Sequence, residues 1–168
     1  MTPDQTAEEP AADLAYLQKI NDVFYDQLKV ADQKATYIMT IIVFLLVWSP
    51  DVRKLFFWRG HGVELTAASL LSLALVAALL TALAAALAVV TPRRRRGGAA
   101  LFWGAWPQAR AEVERITATA DRAAIAASYA DNAQNLAALC RLKYRFVTLA
   151  FGALIVALAA HGGLVVLG

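Results

Sequence analysis

The chain has 168 residues, of which 60% are hydrophobic and only 17% charged, with a formal net charge of +3. Soluble domains carry about 25% charged residues, and here the apolar excess is gathered in blocks, which excludes an ordinary soluble core and implies a membrane protein of one domain. The single cysteine, Cys140, excludes an intramolecular disulfide.

Residues 1–10 read as a disordered tail. Asp4, Glu8 and Glu9 make this start acidic, unlike the basic opening of a secretory signal, so the apolar runs are expected to remain in the mature protein. A helical pattern begins at Ala11. Leu14, Leu17, Phe24, Leu28 and Ala31 recur at three- and four-residue steps, with Asn21 interrupting the stripe. Asp22, Asp26, Lys29 and Gln33 form a polar face. No Gly or Pro lies between Ala11 and Trp48, so one long helix is expected. It is cytosolic over 11–34 and membrane-spanning over 35–49, with Lys34 reaching back to the headgroups. Ser49-Pro50 ends it, because Pro lacks the donor and restricts the residue before it.

Residues 50–64 read as an external loop, with Phe56, Phe57 and Trp58 suited to the interface. The second span covers 65–90 and contains no charge between Leu65 and Val90. Such a helix exceeds the roughly 30 Å hydrocarbon core at about 1.5 Å per residue. Thr91-Pro92 ends it, and Arg93, Arg94, Arg95 and Arg96 follow directly. Residues 91–145 form a cytosolic basic segment and helix. Within it one helix is expected from about Gln108 to Arg145, with Ile116, Ile125, Tyr129, Leu136, Leu139 and Leu142 as its packing stripe. That helix continues into the third span, 146–167, mirroring the first. The fold class is therefore an all-α membrane protein with three transmembrane helices, two of them continuous with cytosolic helices.

The basic residues beside spans two and three place those ends inside, so the N-terminus is inside and the C-terminus outside. Small residues crowd the second span (Ala67, Ala68, Ser69, Ser72, Ala74, Ala77, Ala78) and recur in the third (Ala150, Gly152, Ala153, Ala157). They favour close helix packing or self-association, and a homo-oligomer is expected.

Catalytic constellations are missing. No Ser/His/Asp or Cys/His set is apparent, and His61 and His161 have no neighbouring ligands for a metal. Glu112 and Glu114 fall on different sides of a helix. No enzyme, resident cofactor, metal or nucleic-acid partner is expected. Arg93 to Arg96 serve topology and attraction to anionic lipid, each charge contributing about 1 kcal/mol, with an anionic ligand as the alternative. Arg141, Lys143 and Arg145 carry the same two readings. Arg141 and Arg145 are i,i+4 neighbours, a spacing that suits clasping a phosphate. Asp32, one turn from the bilayer edge, is either a solvated acid or one that finds a partner on another helix, with Asn132 and Asn135 as candidates.

The segment from Asn21 to Ala35, NDVFYDQLKVADQKA, ends in Ala31-Asp32-Gln33-Lys34-Ala35 just before the first span. It resembles the first-helix signature of the Pycsar transmembrane effectors. The stretch Asn132-Ala133-Gln134-Asn135-Leu136, continuing through Lys143-Tyr144-Arg145 into the last span, is similar to the same family. The resemblance covers about Ala11 to Val166 and implies a role in bacterial anti-phage defence. It implies a linked nucleotidyl cyclase that makes cCMP or cUMP on infection. The effector, in the inner membrane, responds by impairing that bilayer, and the cell dies in abortive infection. The resemblance carries over Ala31, Asp32, Lys34 and Ala35 as the matched motif without assigning them a role. No cyclic-nucleotide-binding β-barrel is recognisable. Two alternatives are a small membrane scaffold that recruits a soluble enzyme and a holin-like pore that needs no ligand.

Overall fold

A computed structural model describes residues 5–50, 52, 66–92 and 106–167, with side chains described from residue 12 onward except at 108. Among these residues the structure is helical and without strands. The helices are α1 (Gln5–Trp48), α2 (Ala67–Val90), α3 (Trp106–Thr119) and α4 (Arg122–Leu167). Three of them, α1, α2 and α4, are long and apolar enough to cross a membrane. The external loop with Phe56 to Trp58, His61, and the cluster Arg93 to Arg96 lie outside the described residues.

Two boundaries differ from the sequence reading. Helix α1 begins at Gln5, inside the segment read as a disordered tail. The helix expected from Gln108 to Arg145 is two helices. Ala120 takes a left-handed φ of 50°, its N–H donates to Thr117 O at 3.3 Å, and Asp121 N–H donates to Ile116 O at 3.2 Å. This pair of bonds is a Schellman ending. Asp121 then caps α4, its Oδ1 accepting from Ala124 N at 3.0 Å. The sequence offers no glycine here to announce the left-handed residue. Ala120→Gly is expected to stabilise the protein by about 1 kcal/mol by removing the Cβ penalty of that conformation. Asp121→Ala is expected to cost about 1 kcal/mol. Thermal unfolding of the two variants in one detergent checks both signs.

The chain divides into two units. Unit 1 comprises residues 1–29 and 92–142. Here α1 turns Leu14, Leu17, Asn21, Phe24 and Leu28 inward, a strict alternation of three- and four-residue steps. Asn21 thus belongs to this stripe rather than interrupting it, and it is 3% exposed. Ile116 is buried on α3, and Asn132 and Leu136 on α4. The outer side of α3 carries Arg110–Glu114 at 2.7 Å and Arg115–Glu112 at 2.6 Å, so the two glutamates have separate partners. The bonds from Arg115 hold the Glu112 carboxyl below its ordinary value of 4.5. That contribution is complete above the ordinary value and is lost as pH falls through the lowered one.

Unit 2 comprises residues 30–91 and 143–168. The inward alternation on α1 continues here through Ala31, Ala35, Ile38 and Ile42. Helix α2 contributes Leu75, Ala78, Leu79, Ala82, Ala85, Ala86 and Val89, and α4 contributes Val147, Ala150, Leu154, Ala157 and Ala160. Alanine dominates because lipid supplies no strong drive to bury large apolar groups, and close approach of backbones supplies dispersion instead. The opposite faces expose Val43, Phe44, Leu73, Leu80, Phe151 and Ile155, as a lipid-facing surface requires. Phe44, Leu45 and Trp48 at the end of α1 border one cleft with His161 and Val165 at the end of α4, so these segments are parallel. A Cβ on Gly163 would lie 3.1 Å from the Leu71 side chain, which puts the start of α2 at that same end. Helix α2 therefore runs antiparallel to the other two. Its first turn is closed by Thr66, which accepts from Ser69 N at 3.2 Å while Ser69 Oγ accepts from Thr66 N at 2.9 Å.

Candidate functional site

The polar groups on the packed faces of α1 and α4 are the residues most suited to a switch, because apolar packing alone does not explain them. In unit 1 the Asn132 amide donates to Asn21 Oδ1 at 2.6 Å. The Asn21 amide donates to Leu17 O at 2.8 Å and to Tyr129 O at 3.0 Å. Both asparagines are 3% exposed. Every hydrogen-bonding group of Asn21 is thereby used, and the pair fixes which residues of the two helices lie opposite. Gln18 adds a bond to the Tyr129 hydroxyl at 3.3 Å. Farther along α4 the Cys140 thiol lies 3.6 Å from Phe24 O.

In unit 2 the segment Ala31–Ala35 meets α4. Lys143 Nζ donates to Asp32 Oδ1 at 2.5 Å, with the lysine side chain 18% and the aspartate side chain 44% exposed. Asp32 does have a partner on another helix, but that partner is Lys143 and not Asn132 or Asn135. Ala31 and Ala35, the flanking motif residues, are fully buried in the core. They are small because α1 packs closely there. Lys34 is exposed, and its ammonium lies 5.3 Å from the centre of the Tyr144 ring. The motif thus has three jobs along one turn: close packing, an interhelical ion pair, and a cation placed over an aromatic ring.

The basic trio of α4 is divided by the helix itself. Lys143 points toward Asp32, whereas Arg141 and Arg145 are exposed. At about 100° per residue, Lys143 lies on the side of the helix away from the other two. The structure therefore does not bring the trio together as one cluster. The signal that identifies these pairs is register. Asn21 and Asn132, Gln18 and Tyr129, and Asp32 and Lys143 are each separated by 111 positions.

A family model described as the Pycsar effector protein domain matches residues 16–168. Comparison with curated proteins and with solved structures found no match. The matched range takes in the Asn21–Asn132 pair, the Asp32–Lys143 pair and all the membrane-crossing segments, and the chain belongs to the Pycsar effector family, as a multi-pass membrane effector of that anti-phage defence.

Proposed function

We propose that this effector sits in the bacterial inner membrane and is switched on by a cyclic pyrimidine mononucleotide, cCMP or cUMP, made by a linked nucleotidyl cyclase. It then impairs the membrane and brings about abortive infection. The observation that carries this reading is the family match over residues 16–168, joined to helices that serve both units. A ligand shifts an equilibrium only by its differential affinity for two states. The ion pair Asp32–Lys143 gives those states a physical difference. A ligand phosphodiester that competes for Lys143 removes the lysine from Asp32 and leaves a carboxylate beside the apolar core, which α1 accommodates by moving. Arg145, exposed on another side of α4, attracts such an anion toward this end of the helix without sharing its seat at Lys143. Exposed small residues, Ala67, Ala77 and Gly152, provide surfaces for assembly into a homo-oligomer.

The test is membrane depolarisation in cells expressing the protein, with no nucleotide, with cCMP or with cUMP. Depolarisation with one nucleotide alone is the expected result. Arg145→Ala is expected to raise the nucleotide concentration needed about tenfold, through weaker electrostatic attraction of the anion. Depolarisation without any nucleotide would instead mark a holin-like pore. No depolarisation in any condition, with the protein confirmed in the membrane, would mark a scaffold.

A further inference from the structure

Within unit 2 an open cleft of about 430 Å³ runs between α1 and α4. We propose that it is the seat of one anionic phospholipid, whose acyl chain fills the cleft and whose phosphate meets the Lys34 ammonium. The floor is apolar and closed: Ile38, Val147 and Leu154 are each buried. Ile41 and Phe151 form the rims, 40% and 56% exposed, with no described segment of the chain covering them. Free polar groups gather at the mouth, since Thr148 in the wall donates its hydroxyl to Tyr144 O at 2.9 Å. Lys34 and Tyr37 stand there, and Lys34 is the last charged residue of α1 before an uncharged run to Pro50.

The size of the cleft selects its occupant. One turn of a helix about 10 Å wide, with a pitch of about 5.4 Å, fills roughly 420 Å³. The cleft therefore has room for one turn of a partner helix at most, whereas a flexible hydrocarbon chain fits a narrow slot of any length. Charge completes the argument. Lys34 has no ion-pair partner among the described residues, and the nearby Asp32 is engaged by Lys143. The contact with the Tyr144 ring holds the Lys34 ammonium beside the cleft, not free in solvent. A headgroup of net negative charge matches this end, while a choline headgroup sets its own cation against it.

The proposal depends on α1 and α4 crossing a membrane and not on nucleotide gating, so the two readings fail separately. The full chain, purified in detergent and free of nucleotide, is titrated with phosphatidylglycerol or phosphatidylcholine of identical acyl chains. Native mass spectrometry counts the bound lipids. The expected result is one saturable phosphatidylglycerol, bound about fivefold more tightly than phosphatidylcholine, the factor given by one cation at an anionic headgroup. Lys34→Gln, an exposed position that keeps its helix, should abolish the preference, while Lys19→Gln should leave it intact. Thr148→Trp, which projects a ring into the cleft, should weaken both lipids at least tenfold. Equal binding of the two lipids overturns the proposal. So does a preference that survives in Lys34→Gln or is lost in Lys19→Gln, or lipid binding undiminished in Thr148→Trp.

Discussion

Asn132→Leu is expected to lower the stability of the protein by about 2–3 kcal/mol, although leucine is the better helix former and the more apolar side chain. The cost arises on the other helix. Asn21 Oδ1 accepts from Asn132 at 2.6 Å inside a packed face, and the leucine leaves that oxygen buried with no donor. The converse substitution, Asn21→Leu, strands the Asn132 amide and is expected to cost a similar amount. The double variant removes both members together and should recover most of the loss, with a coupling of at least about 1 kcal/mol between the sites. Unfolding of the four proteins in one detergent, followed by circular dichroism, measures that coupling. Purely additive losses would mean that the amides do not act as a pair. The recovered double variant should still be defective as an effector. A polar pair on a packed helical face is costly for stability and specifies register, and two leucines specify much less.

Much of this fold is legible before any coordinates, and the reason is the strength of the signals involved. Long uncharged runs leave few options in lipid, where a backbone must satisfy its own hydrogen bonds. Ser49-Pro50 and Thr91-Pro92 stop their helices as chain chemistry requires. The break at Ala120 was invisible because Schellman endings are ordinarily announced by glycine, and here an alanine bears the strain. Asp121 was the remaining cue, and an aspartate inside an alanine-rich stretch is easily taken for a surface residue.

The candidate site divides in the same way. Sequence pattern marks Asp32 as an acid near lipid and Lys143 as part of a basic run, two features with no local link between them. Their meeting depends on the relative register of α1 and α4, which no local pattern encodes. Asn21 held the key. Read as a defect in an apolar stripe, it says nothing; read as a member of that stripe, it demands a polar partner on the facing helix. That partner is Asn132, 111 positions along the chain, the same separation as between Asp32 and Lys143.

Ala82→Leu is expected to cost about 3 kcal/mol and to abolish effector function, even though it makes a membrane-spanning helix more hydrophobic. Ala82 is fully buried on α2, as are Ala86 on the same helix and Ala157 on α4. Three added carbons at such a position have no cavity to occupy, so the backbones must separate. Separation forfeits the close contacts that hold helices together in lipid, where burial of apolar surface gives little compensation. The matched control is Ala84→Leu, two positions away on the exposed side of the same helix, where a leucine meets lipid and should be neutral within about 0.5 kcal/mol. Insertion scales rate the two substitutions alike, because both add the same apolar surface to the same helix. A difference between them in melting temperature and in depolarising activity therefore reports packing alone. Equal tolerance would mean that the alanine face of α2 is not held against its neighbours in the membrane. Loss confined to Ala82→Leu would place the effector's working state in the close-packed bundle rather than in generic hydrophobicity.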